Sequence, residues 1–468
     1  MNHNPQKSPI TRFLPFAVLF LVAFLIYLKT TGYAFIPIWD DREYVLNNIY
    51  IRGLNLENLR YIFTRPILGN YAPLHILSYS LDYAVWGLDP RGYHLGNVIL
   101  HGLNSMLAYA LIRKVTGNAR SSFLAALIFA VHPLNVENVA WVSERKTLLT
   151  AFFSFTAIIF YTRFSDGRRA ADYLLSAAFF LLAILSKPLT VTLPLVLLAY
   201  EFFVKGRRGR ALLYPVPLFL LSLFGAATTL ASHLGHTETE RGIMTLSTLF
   251  GTIYPTMLTI FWKYLRLMVW PLGLSGFYDT TLYHSFLSPP AAAALLGLAA
   301  LFIAVLWKGG AQTRFWFLWF WLWLLPVSNL IPIPVYYADR YMYLPAIAFF
   351  VLIGSLTVRA ARAMEGGYGV RRYLPYAVFT VIFAFYASVA FNRTAVWRNE
   401  LAFWKDTARK SPALFKPRLN LGQAYEAEGM LDEAEQEYLA AVAIYPDPDV
   451  ISSIKFIRMK RQYLRRSR

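Results

Sequence analysis

Long apolar runs separated by short polar breaks dominate this chain. Segments 11–30, 93–113, 120–133, 147–163, 171–186, 188–204, 211–231, 289–307, 315–332, 341–358 and 373–391 consist mainly of aliphatic and aromatic residues. A membrane-crossing helix needs about 20 such residues, so the pattern predicts an all-α, polytopic membrane protein with about 11 transmembrane helices. A further stretch, 247–270, is apolar but carries Lys263 and Arg266 near its end. With the N-terminus in the cytoplasm, loops 113–120, 163–170, 205–210, 308–314 and 359–372 fall inside, and all are basic, as orientation by positive charge requires. Loops 31–92, 132–146, 232–288 and 332–340 then fall outside. The alternation holds only if 247–270 is interfacial or re-entrant. Leu14–Leu28 follows Lys7 and Arg12 without a small-residue cleavage site, so it reads as an uncleaved anchor.

Two soluble parts interrupt the pattern. In the outer loop 31–92, NLENLRYIF and PLHILSYSLDYAVWG have helical periodicity with aromatic faces, predicting amphipathic helices lying on the membrane. The membrane domain ends near residue 395, and 396–468 forms a small helical domain. Within it, 412–446 is a tetratricopeptide repeat: Leu421, Gly422, Tyr425, Gly429, Ala434, Tyr438, Ala441 and Pro446 occupy the repeat's small, aromatic and terminating positions. TAVWRNELAFWKDTARKSP before it resembles a truncated preceding repeat. A repeat and a half cannot bury a solenoid core alone, so this domain must lean on the membrane body, a partner or another copy. The basic tail Lys455–Arg468 reads as a solvated capping helix.

Composition narrows the class. A mean hydropathy of +0.43 with 57% hydrophobic residues does not fit a soluble domain. The net charge of +19 is spread over short clusters such as Arg113/Lys114, Arg168/Arg169, Lys205 with Arg207, Arg208 and Arg210, and Arg371/Arg372, which argues against nucleic-acid binding. The absence of cysteine excludes disulfides, thiolate metal sites and a Cys nucleophile.

Ionisable groups at membrane depth are costly and mark function. Four places stand out, all on the predicted outer face: Asp40 and Asp41 beside Arg42 and Glu43; His132, Glu137, Glu144, Arg145 and Lys146 in HPLNVENVAWVSERK; Lys187 in LSKPLTVTLP; and Asp339 with Arg340 in YYADRYMYLP. Adjacent carboxylates repel, so one of Asp40 and Asp41 is expected to have a raised pKa, which suits a general base. The bases fit a phosphate clamp; the acids would take a proton or hold a divalent metal, Mg or Mn. Local pairing is the alternative: Asp339 with Arg340, Glu144 with Arg145, and a snorkelling Lys187. His101, with Asn97 and Asn104 on one helix face, reads as helix–helix glue, and the Trp316 to Trp323 cluster as lipid-facing or interfacial packing.

The order of these motifs is an acidic pair after the first helix, NYAPLHILSYSLDYAVWGLDPRGYHLGNVILHGLN, HPLNVENVAWVSERKTLL, YYADRYMYLP and then tetratricopeptide sequence. It resembles the transmembrane and tetratricopeptide-repeat-containing O-mannosyltransferases and their bacterial relatives. These belong to the GT-C superfamily of polyprenyl-phosphate-sugar-dependent glycosyltransferases. The resemblance implies a GT-C membrane bundle. It implies a sugar donor, mannose included, on a polyprenyl phosphate, and a protein or glycan acceptor on the outer or lumenal side. It also implies residence in membrane lipid, for a bacterial relative the inner membrane, with the active site and C-terminal domain periplasmic. The family's first-loop acid maps onto Asp40, with Asp41 beside it, as general base or acceptor-orienting group. Arg145, Lys146, Lys187 and Arg340 are the candidate phosphate ligands, with His132, Glu137, Glu144 and Asp339 supporting. Animal members carry many repeats where this chain has about one and a half, so a protein partner for the repeat is an expectation of its own. A non-enzymatic envelope scaffold would have no need of charges inside its bundle. A lipid-linked glycan transporter would be expected to show related halves.

Overall fold

The computed structural model describes residues 9–234, 246–331, 333–364 and 369–466, and these contain helices and turns with no β-strand. Every segment predicted to span is helical in the main, but not every one is a single long helix. Among the described residues six helices are long and apolar enough to cross a membrane: Phe13–Gly32, Pro90–Thr116, Val142–Gly167, Gly209–Ser232, Pro289–Lys308 and Val370–Trp397. Ala119–Val131 and Pro133–Ala140, bent by 52°, make a seventh if counted together. Several of the other predicted segments are interrupted by proline, which removes a backbone donor and breaks helices. The segment 188–204 divides into a Pro188–Thr190 turn, a helix Leu193–Ala199 and a wide turn Tyr200–Val204. The helix Ala311–Leu324 stops before Pro326, and Ile347–Ala363 starts only after Pro345. Tyr254–Val269 is helical and outside those six; it buries Met257, Ile260, Tyr264 and Leu267, while Arg266 is exposed.

Close approach and polar bonds knit the bundle. Gly354 lies so near the Ala119–Val131 helix that a Cβ there would sit 2.3 Å from the Ser121 carbonyl oxygen. Each residue of the polar stripe predicted on Pro90–Thr116 finds a partner: His101 Nδ1 meets the Tyr343 hydroxyl at 2.7 Å, and its Nε2 meets the Ala130 carbonyl at 3.1 Å. Asn104 donates to the Leu148 carbonyl at 2.9 Å, and Asn97 to that of Trp141 at 3.1 Å. The tryptophan cluster departs from expectation. Trp316, Trp319 and Trp323 recur every three to four residues on the inner face of their helix and are buried, Trp319 donating to the Leu344 carbonyl at 2.9 Å.

The outer loop forms the two expected helices, Leu56–Thr64 and Pro73–Trp86. The second packs inward rather than lying free on the membrane, with the Tyr79 hydroxyl donating to the Val142 carbonyl at 2.7 Å. At the C-terminus, Phe415–Ala427 and Leu431–Ile444 form a helical hairpin, and Gly422 accommodates the Tyr438 ring, which a Cβ would approach to 2.5 Å. The preceding helix, Glu400–Lys410, leans on the membrane body. Lys410 Nζ donates to the Leu274 carbonyl at 2.6 Å, and Ser411 Oγ to that of Phe277 at 2.8 Å. The basic final helix Pro448–Arg466 caps the hairpin, burying Val450, Ile454 and Ile457 and pairing Arg458 with Glu435 at 2.6 Å.

Candidate acid–base site on the loop face

The loop after the first helix turns tightly at Trp39–Asp41, and the turn assigns the adjacent acids to different environments. Asp41 is buried. Its Oδ2 accepts from the Ile36 N–H at 2.8 Å, and its Oδ1 accepts from the Ser143 N–H at 3.1 Å and from the Ser143 hydroxyl. Burial raises its pKa to about 6 against the lowering effect of these bonds, with the neighbouring Asp40 charge adding to the rise. Asp40 keeps a quarter of its side chain exposed and touches Lys146 Nζ at 3.5 Å.

Lys146 leads into a cluster centred on Glu144. That buried carboxylate lies 3.4 Å from Lys146 Nζ, 3.2 Å from Lys187 Nζ and 3.6 Å from Arg340 Nε, and it accepts from the Thr147 hydroxyl at 2.5 Å. Thr147 in turn accepts from Lys187 at 2.9 Å. Arg340 also binds Glu137, through Nη1 at 2.6 Å and its backbone N–H at 3.0 Å. Aromatic faces wall the cations: Lys146 Nζ stands 5.0 Å from the Tyr44 ring, and the Arg340 guanidinium 5.8 Å from Trp141. Asp339 sits beside this network and accepts from the Tyr278 hydroxyl at 2.5 Å. Burial first, and the Glu137 charge second, raise its pKa to about 7. Lys187 is shifted the other way, to about 8, because burial disfavours the ammonium more than Glu144 favours it.

The fold therefore gathers candidates from all four sequence regions: Asp40, Lys146, Glu144, Lys187, Arg340 and Glu137, flanked by Asp41 and Asp339. Two candidates lie elsewhere. Arg145 turns away from the cluster, pairing with Asp82 and donating to Asn97 Oδ1 at 2.8 Å and the Tyr93 carbonyl at 2.6 Å. Consecutive helical residues point about 100° apart, so Lys146 and Arg145 cannot share a target. The expected pairing of Glu144 with Arg145 is not formed. His132 meets the Met268 carbonyl at 3.1 Å and packs edge-on against Tyr386, a bond that joins helices. Ser143, Thr147, Tyr44 and Tyr278 complete the site without having been singled out by charge.

A second layer ties the Asp40 turn to the C-terminal helix. Glu400 Oε1 accepts from the Ile38 N–H, and the Ala34 N–H donates to the Arg398 carbonyl at 2.9 Å. Trp39 stacks among Trp141, Phe403 and Trp404 at ring separations of 4.5, 4.9 and 5.6 Å.

The donor set does not favour a metal. Among the described residues no group of three His, Asp or Glu side chains could hold one. Glu137 and Glu144 already face cations, and Asp41 faces N–H and O–H donors. Asp40 is a quarter exposed.

Residues 71–235 match a family model described as dolichyl-phosphate-mannose-protein mannosyltransferase. The human protein O-mannosyl-transferase TMTC3 is 23% identical over 416 residues, covering 81% of this chain and 45% of that protein. Protein O-mannosyl-transferase Tmtc1 of Drosophila melanogaster is 31% identical over 179 residues, covering 36% of this chain and 21% of its own length. A Caenorhabditis elegans protein O-mannosyl-transferase is 22% identical over 452 residues, covering 92% and 62%. The chain thus spans between 21% and 62% of the length of these relatives. Among solved structures, the apo oligosaccharyltransferase of Archaeoglobus fulgidus aligns with a TM-score of 0.44 at 12% identity, covering 86% of this chain and 56% of that one. ArnT from Cupriavidus metallidurans bound to undecaprenyl phosphate aligns with a TM-score of 0.45 at 14% identity, covering 93% and 77%. In sequence, the chain is similar over most of its length to the protein O-mannosyl-transferases.

Proposed function

We propose that this protein is a glycosyltransferase that moves a sugar, with mannose the first to try, from a polyprenyl-phosphate carrier to a hydroxyl group of a protein or glycan at the outer face of the membrane. One observation carries the reading. Asp40, the cluster's accessible acid, stands 3.5 Å from Lys146 at the edge of a group in which Lys146, Lys187 and Arg340 converge on buried carboxylates. Glu137, Glu144 and Asp40 balance these three cations, and protonation of Asp40 during the reaction leaves one positive charge for the departing phosphate. Asp40 takes the proton of the acceptor hydroxyl as its oxygen attacks the anomeric carbon. The bond from that carbon to the carrier phosphate breaks, its electron pair stays on the phosphate oxygen, and the cations stabilise the charge formed. Glu137 and Glu144 hold the cations in place, and Asp41 holds the turn that presents Asp40.

The names of the relatives support mannose and a protein acceptor. The basic loops support a cytoplasmic N-terminus, which puts the cluster and residues 396–468 on the periplasmic side of a bacterial inner membrane. In that arrangement residues 1–395 carry catalysis and the C-terminal hairpin offers a protein partner its surface. The test is transfer of radiolabel from polyprenyl-phosphate mannose to a membrane extract by the purified full chain. The expected result is labelled acceptor with wild type and a loss of at least ~100-fold with Lys146→Met. Equal labelling by both proteins overturns the assignment.

A further inference from the structure

At the opposite end of the bundle from the acid–base cluster, a cavity of about 470 Å³ opens between Pro289–Lys308, Ala311–Leu324 and Ile347–Ala363. The helix Pro90–Thr116 links the two places: Asn97, near its start, holds Arg145 beside the loop roof, and Thr116, at its end, lines the cavity. The walls are apolar and aromatic, with Trp316, Phe320, Trp321 and Phe349 prominent. Its mouth carries Arg359 and Arg362. Both are exposed, and neither has an ion-pair partner among the described residues. Gln312, Trp316 and Trp321 each keep a buried polar atom, Oε1 in the first and the indole N–H in the others, with no hydrogen-bond partner among the described residues.

We propose that this groove is a binding site for an anionic phospholipid of the cytoplasmic leaflet. An apolar trench between membrane helices suits acyl chains, and two unpaired arginines at its mouth suit a phosphodiester with net negative charge. The unpaired indole N–H groups suit ester carbonyls, which a buried donor requires if it is not to stay unsatisfied. The site shares no residue with the Glu144 cluster and does not depend on the transferase activity, while its leaflet rests on the orientation read from the basic loops.

The test is lipid retention by the full chain. Protein purified in mild detergent is equilibrated with phosphatidylglycerol or phosphatidylcholine, and bound lipid is counted by native mass spectrometry. Wild type is compared with Arg359→Gln/Arg362→Gln and with Ser355→Phe, which fills the groove and keeps both arginine charges. The expected result is selective retention of phosphatidylglycerol, lowered on the order of tenfold by the charge variant and also by the filled groove, with unchanged elution from size exclusion. Undiminished retention in either folded variant, or equal retention of phosphatidylcholine, overturns the proposal. Displacement of phosphatidylglycerol by equimolar polyprenyl phosphate also overturns it, reassigning the groove to the carrier.

Discussion

Replacing Asp40 and Asp41 by asparagine, one at a time, separates chemistry from architecture at two adjacent residues. Asp41 is buried and accepts from two backbone N–H groups and one hydroxyl. Asparagine keeps one acceptor oxygen and turns its amide N–H toward a donor, and an unpaired buried donor costs about 1–3 kcal/mol. Asp41→Asn should therefore lower thermal stability clearly at pH 7.5, where the native carboxylate is ionised, its pKa lying at about 6. Asp40 makes one long contact with Lys146 and is a quarter exposed. Its neutralisation should cost less than about 1 kcal/mol, yet remove the base and cut transfer by about 10²–10⁴-fold. Melting is followed by intrinsic tryptophan fluorescence in detergent, and transfer is scored per folded protein. The reasoning fails if Asp41→Asn melts with wild type, or if folded Asp40→Asn keeps wild-type turnover.

Glu144→Gln removes the carboxylate shared by Lys146, Lys187 and Arg340; Lys146 keeps Asp40 and Arg340 keeps Glu137, but leaving Lys187 unpaired should destabilise by about 3 kcal/mol, and a wild-type melting curve would contradict this. Asp339 has a pKa raised to about 7 in the folded protein, so between its unfolded value and 7 the native state binds the extra proton. Its contribution is complete below the unfolded pKa and is lost as pH rises through about 7. Asp339→Asn should flatten the fall in melting temperature over that window, and an unaltered slope would count against it. Gly422→Val forces a Cβ toward the Tyr438 ring and should cost about 1–3 kcal/mol locally, exposing the hairpin to limited proteolysis while the membrane body stays intact; unchanged cleavage would argue against close packing there.

Much of this was legible before the structure, for identifiable reasons. The polar stripe His101, Asn97 and Asn104 was readable because buried amides and imidazoles at helical spacing need partners, and each found one. The convergence of Lys146, Lys187, Glu144 and Arg340 followed from placing costly charges on one side of a membrane. What charge could not tell was direction. Asp40 and Asp41 are equivalent in sequence, and only the backbone turn buries one of them. Arg145 and Lys146 are likewise neighbours whose side chains leave the helix start at different angles. Uncharged members such as Ser143 and Thr147 resemble ordinary loop and helix residues until their carboxylate partners are seen. Apolar content was legible, while the breaks at Pro188, Pro326 and Pro345 fall inside otherwise continuous runs and leave shorter helices there. The inward face of Trp316, Trp319 and Trp323 depends on which helices surround it, which hydropathy does not encode.

The bond from Ile38 to Glu400 and the packing of Trp39 on Phe403 and Trp404 make the turn before Asp40 and the first C-terminal helix a single mechanical part. The hairpin is thus mounted rather than tethered. A change at its far end leaves the mount undisturbed. A load applied at its near end, by contrast, is delivered to the backbone two residues from Asp40.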